Sequence, residues 1–369
     1  MTINHLSHPL LPHQRQALKL MRDIALQRAG EARKCIHGLL AAAGLDAATY
    51  DIALNRLRQV ARINLHFHPD RLDIHGRSVA AGLLEDGAFR TQYETGISAG
   101  STSAFVGGAR DLWEEKLFGG AYHVEGAKLA ERPRYGALNL LSHPDGAAPR
   151  FGACYFVLRQ NLNQRASFTF GGSQEADASE CSGTLDAFDA VMAALLAEAS
   201  QGQGILGETS LDLPTLLQRL SAEPSPSLGL SARPLGQALD SFIEVQIHGA
   251  IELSRDVEGL VADPCYRGGP IEPHLLALGH RYGFEIDWHP GFKLALDSVP
   301  EQFRGFSVRP LAQRIATGEC IDAAALGAAE NDYRLHPDAW TGWGDQHEML
   351  TRFRRLWHVL VLYGGPAEA

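Results

Sequence analysis

Three stretches of the sequence combine residue types that can do chemistry. The first is Leu65-His66-Phe67-His68-Pro69-Asp70-Arg71. If it ends a strand, His66 and His68 project from one face and could offer two imidazoles to one metal, with His75, His123, His248, His289 or Asp70 completing the set. The same segment offers Arg71, a guanidinium able to clamp a phosphate or pyrophosphate. A proline-closed strand end with hydrogen-bonded histidines fits equally. The second stretch runs from Gly96 to Phe105 (GISAGSTSAF). Small hydroxyl residues between glycines let the backbone approach a ligand, and Ser101, Thr102 and Ser103 could orient a ribose or a carboxylate. A surface turn has the same composition. The third is Ser241-Phe242-Ile243-Glu244-Val245-Gln246-Ile247-His248-Gly249. Strand alternation puts Phe242, Glu244, Gln246 and His248 on one face and Ile243, Val245 and Ile247 on the other. A carboxylate in so apolar a strand is costly without a partner or a task, so Glu244 is the most conspicuous acid in the chain. A structural ion pair is the alternative.

These residues need a framework. Apolar positions recur at helical spacing from Leu11 to Ala42, Gly44 interrupts, and Asp46 to Arg62 repeats the pattern, predicting a helical hairpin. From Ile63 the texture changes to short apolar runs between glycine-rich turns. Strands are predicted near residues 63–68, 135–141, 153–158 and 166–170, and again near 241–253, 257–261 and 284–288. An amphipathic helix is predicted over 185–199, an exposed loop over the proline- and serine-rich stretch 221–234, and helices from Leu311 onward. Strands and helices do not alternate regularly, and neither G-x-G-x-x-G nor a P-loop occurs, so a nucleotide would need another architecture. No G-x-S-x-G elbow supports a Ser/His/Asp triad. The polar-aromatic segments 110–115, 131–139 and 149–152 read as turns leading into strands, and Arg134, Arg150 and Arg165 read as solvated or anion-facing. The expected class is α+β.

The 369 residues include 33 basic and 43 acidic ones, a formal charge of −10, with 45% hydrophobic and 21% charged residues. Such fractions belong to a folded chain. The acidic balance makes nucleic acid a poor partner. No window approaches ~18 uninterrupted apolar residues, so no membrane span is expected. No secretory signal is visible at the start. Cys35, Cys154, Cys181, Cys265 and Cys320 are scattered and form no CxxC pair, which argues against a zinc ribbon or disulfide framework and for a reducing cytosol.

Taken in order, an arginine at the end of an early strand, Ser101-Thr102-Ser103, and Glu244 in a late strand resemble the Arg, Ser-Thr-Ser and Glu signature of mono-ADP-ribosyltransferases. HFHPDR, GGARDLWEEKLFGGAYH, ERPRYGALNLL, PRFG and EVQIHG are also similar to a bacterial and fungal family long catalogued as a domain of unknown function. That family is taken to include the CHARPT effectors, which modify ubiquitin on a threonine. The resemblance implies a split, mainly antiparallel β-core over residues 63–310, between helical segments 1–62 and 311–369. It implies NAD as substrate, with no metal. Arg71, or its rival Arg90, would hold the NAD phosphates. Ser101, Thr102 and Ser103 would prop the nicotinamide ribose, and Glu244 would stabilise the transition state, with His248 as an auxiliary base. Phe242 stands where arginine-modifying members carry a second Glu or Gln, which puts arginine as the acceptor in doubt; the resemblance to the CHARPT effectors implies a hydroxyl, a threonine of ubiquitin. The implied setting is an effector toxin, made in a bacterial cytoplasm and delivered to the host cytosol by a specialised secretion system, where it blocks ubiquitination. The competing expectations are a metal-dependent hydrolase built on His66, His68 and Asp70, and a non-enzymatic interaction module.

Overall fold

The computed structural model describes residues 9–97, 104–175, 177–202, 204–222 and 233–367. Ser101, Thr102 and Ser103 lie outside the described residues. The helical hairpin forms as expected, with helices Pro12–Ala42 and Ala47–Val60, the second capped by the Asp46 carboxylate on the Ala48 amide. The hairpin packs onto helix Asp189–Ala199, where buried Asp189 accepts from the Tyr50 hydroxyl at 2.8 Å and from Arg33 Nε at 2.9 Å.

The centre is one eight-stranded sheet, ordered Glu285–Trp288, Val257–Ala262, Cys154–Leu158, Arg62–Phe67, Arg134–Asn139, Ile243–Ile247, Ala166–Phe170 and Ser182–Thr184. Every pairing is antiparallel except the first, whose strands are joined through helix Glu272–Tyr282. That helix ends at Gly283, whose φ of 74° supplies the left-handed turn that a helix end favours. Mixed helices around a mainly antiparallel sheet make the class α+β. One hydrophobic core joins all three expected segments: Ile36 and Leu54 from the first, Val245 from the sheet, Phe353 and Val359 from the last helix.

The expected split of the β-core is partial. Strand Arg62–Phe67 pairs with Arg134–Asn139 over three positions only, Arg62 with Asn139 through Asn64 with Ala137. Beyond Asn64 the two strands part. Leu65–Phe67 continues alongside Cys154–Leu158, and Arg134–Ala137 continues alongside Ile243–Ile247. The sheet is therefore joined at one end and forked at the other.

Candidate functional site

A cavity of about 940 Å³ opens in this fork, with His66 and Phe67 on one lip and Pro133, Arg134, Tyr135 and Gly136 on the other. Helices Val79–Asp86 and Ala109–Leu117 line it too, as do Glu330 and Arg334 from helix Ala323–Leu335 and the last helix, Gln346–Tyr363. The C-terminal helices are thus part of the cavity wall. Eight arginines line it (Arg71, Arg77, Arg90, Arg110, Arg134, Arg150, Arg334 and Arg354) against five carboxylates, Asp73, Asp86, Glu244, Glu330 and Asp345. In a chain of net charge −10 this is a local reversal of sign, and it favours an anionic ligand. Phe89, Trp113, Tyr135, Phe151, Phe242 and Trp357 supply flat apolar surface for planar rings.

Glu244 sits in the predicted alternation. Ile243, Val245 and Ile247 enter the hydrophobic core, whereas Glu244, Gln246 and His248 belong to the polar face, opposite Thr169, Ser167 and Tyr135. The Glu244 carboxylate is 7% exposed and faces the cavity. Its Oε1 accepts from the Ser173 amide at 3.2 Å and from Gln246 Nε2 at 3.0 Å. Burial raises its pKa, opposed by these two hydrogen bonds and by the charge of Arg110. Phe242, two residues earlier, is packed edge-on against Phe151 in a small apolar cluster with Ala137, Ala147 and Ala148.

His248 does not reach the cavity. It is fully buried, and burial together with Arg165 pushes its pKa down to about 3, so the ring is neutral near pH 7. Its Nδ1 lies 2.6 Å from the Tyr122 hydroxyl and its Nε2 3.3 Å from Ser167 Oγ. Ser167 donates to Gln246 Oε1 at 2.8 Å, and Gln246 donates to Glu244. These directions fit together only if Tyr122 donates to Nδ1 and Nε2–H donates to Ser167. The result is a one-way chain, Tyr122 to His248 to Ser167 to Gln246 to Glu244, that fixes the carboxylate from behind. His248, expected as an auxiliary base, does not line the cavity and supports Glu244 from behind.

Arg71 and Arg90 both line the cavity, and each is already paired. Arg71 Nη1 lies 2.8 Å from Glu330, which also holds Arg334 at 3.0 Å. Arg90 binds Asp86 through two nitrogens, at 2.6 and 2.8 Å. The His66–His68–Asp70 arrangement does not converge on one point. Both ring nitrogens of His66 are engaged by backbone, Nδ1 with the Gly152 carbonyl at 3.1 Å and Nε2 accepting from the Ala148 amide at 3.2 Å. Gly152 permits this approach, because a Cβ there would lie 2.3 Å from the Phe67 carbonyl carbon. His68 stands edge-on to Trp357, and Asp70 is packed against Gly327. Among the described residues, no group of three or more His, Cys, Asp or Glu side chains is placed to hold a metal ion. None of the helices among the described residues is long and apolar enough to cross a membrane.

The family model described as "Protein of unknown function (DUF3626)" matches residues 62–363. The chain belongs to this family. The match spans the forked sheet, the cavity and nearly all of the last helix, and leaves the N-terminal hairpin outside. No curated protein matches the chain.

Two cavity groups escaped the sequence reading. Arg110 and Trp113 share one face of helix Ala109–Leu117 at i, i+3 spacing, and the helix itself was not predicted. Its signal was present: Asp111, Glu114 and Leu117 recur at helical spacing and are all buried. Glu330 was not singled out, because only the fold brings it to Arg71.

Proposed function

We propose that this protein is an NAD-dependent mono-ADP-ribosyltransferase that moves ADP-ribose from NAD to a protein hydroxyl, a threonine of ubiquitin, as a bacterial effector would. The observation that carries the reading is the fork itself: a buried carboxylate on a central strand facing a dinucleotide-sized, arginine-rich, aromatic-lined cavity with no Rossmann or P-loop element. The order Arg71 or Arg90, Ser101-Thr102-Ser103, Glu244 supports it from the sequence, and the forked antiparallel sheet is compatible with the split core of that enzyme class.

Glu244 has the central role. As the bond from ribose C1′ to nicotinamide breaks, its electron pair leaves with nicotinamide and positive charge grows on the ribose. An ionised Glu244, held by Ser173 and Gln246, stabilises that charge without having to reorganise. The acceptor oxygen then bonds to C1′, and its proton passes to Glu244 or to water. Arginine contacts hold the phosphates, so the substrate is presented in one reactive pose. Phe242 favours a hydroxyl acceptor: a buried phenyl ring has no hydrogen-bond acceptor for an incoming guanidinium, and its ring already faces Arg150.

The test is incubation of the purified protein with biotin-labelled NAD and a eukaryotic lysate, with Glu244→Ala in parallel. The reading predicts one small labelled band at the size of ubiquitin, lost in the variant. Labelling confined to other bands removes the ubiquitin claim, and absence of both labelling and nicotinamide release removes the enzyme class.

A further inference from the structure

We propose that Arg110, with Trp113 beside it, is the group that grips the diphosphate of the bound dinucleotide. This rests on the reading of the cavity as an NAD site and goes beyond it, because the resemblance pointed to Arg71 or Arg90.

Helix Ala109–Leu117 presents Arg110 and Trp113 to the cavity and is pinned by Arg132, which binds both Asp111 and Glu114. Arg110 is 7% exposed, and its guanidinium lies 4.8 Å from the ring centroids of both Trp113 and Tyr135. Among the described residues it forms no ion pair, and its buried Nε–H has no hydrogen-bond acceptor. The buried Nε1–H of Trp113 also lacks one. Cation–π contact offsets only part of the desolvation of a buried guanidinium. Glu114 and Glu244 act on it only through longer-range charge, so the contact position is left for an anion.

The contrast with the other arginines decides the assignment. An anion arriving at Arg71 competes with Glu330 at 2.8 Å, and at Arg90 with a two-pronged contact to Asp86. At Arg110 nothing has to be displaced, and the stacked guanidinium is already fixed in direction, so binding loses little to reorganisation. The two ester-linked phosphates of a dinucleotide match one guanidinium fork and one indole N–H.

The test is calorimetric titration of the full chain with ADP-ribose, which carries the diphosphate but cannot turn over. Arg110→Met keeps the stem on both rings and removes the charge; its affinity is expected to fall about 10- to 100-fold, the loss of a charge-assisted contact. Arg110→Lys keeps the charge without the fork and is expected between the two; it carries the test if the Met variant does not fold. Wild-type binding that neither variant weakens overturns the assignment to Arg110 and leaves the NAD reading standing. Wild-type protein that does not bind ADP-ribose overturns both.

Discussion

Helix Ala109–Leu117 carries two adjoining buried charged neighbourhoods made from similar residues, one around Arg132 and one around Arg110, with Tyr135 touching both. Around Arg132 every charge is matched. Arg132 donates to Asp111 Oδ1 at 2.6 Å and to Glu114 Oε2 at 3.0 Å, while Asp111 also receives the Gly107 amide and His123, and Glu114 receives the Tyr93 and Tyr135 hydroxyls. Burial works against Asp111, yet the Gly107 amide and Arg132 hold it below the usual carboxylate range; Glu114, deeper, is pushed up by burial in spite of the same kind of support. Around Arg110 the polar atoms are left open: among the described residues, Arg110 Nε, Trp113 Nε1 and the Gln92 side-chain oxygen are buried without acceptors or donors. A closed network serves the fold. An open one at a cavity, on a helix so firmly held, is what the proposed diphosphate contact at Arg110 would close.

Three substitutions press on that contrast. The largest effect is expected from Arg132→Met, which leaves two buried carboxylates unmatched. It should destabilise the protein by about 3–5 kcal/mol, read from urea unfolding. A loss under about 1 kcal/mol would erase the distinction between the two neighbourhoods, since that is the scale of an exposed pair.

Asp70 gives the next effect, and it depends on pH. Among the described residues its carboxylate makes no ion pair, and burial raises its pKa from 3.8 to about 6, opposed by the Arg71 charge and by hydrogen bonding from its own backbone and from Tyr266. The neutral acid is therefore preferred in the folded state. Its stabilising contribution is complete below about pH 4 and is lost as pH rises through about 6, by up to about 3 kcal/mol at about 1.36 kcal/mol per pH unit. Unfolding measured at pH 4 and pH 7 should show this loss in the wild type and not in Asp70→Asn. Equal pH slopes would place a counter-charge at Asp70 and close what is described as open.

The smallest effect is expected from Arg90→Gln. Its pair with Asp86 spans i, i+4 and the arginine is 40% exposed, so stability should change by at most about 0.5 kcal/mol. A larger loss would mean that Arg90 is bound into the wall more tightly than its exposure implies.

Much of this framework was legible in the sequence because it follows from period alone. The hairpin 12–60, the strand positions and the two faces of Ile243–Ile247 come from spacings of 3.6 and 2, which residue type reports directly. Glu244 stood out because an acid between Ile243 and Val245 contradicts its surroundings. The fork was not legible, since it depends on where a three-pair ladder stops. His248 was legible as a face partner of Glu244 but not as buried, because Tyr122 and Ser167 come from distant elements. Arg110 looked like one arginine among 33 basic residues until the described residues showed its buried Nε without an acceptor. Sequence shows which residues share a face, and tertiary structure shows which polar atoms are left over.

The most direct measurement of the central claim is nicotinamide release from NAD by the purified protein with ubiquitin present, comparing the wild type with Glu244→Gln at matched folded fractions. The account predicts steady release by the wild type and a loss of about 10²- to 10³-fold in the variant, the scale for removing a preorganised electrostatic contact, with the melting temperature nearly unchanged. Release by both proteins at the same rate would contradict it.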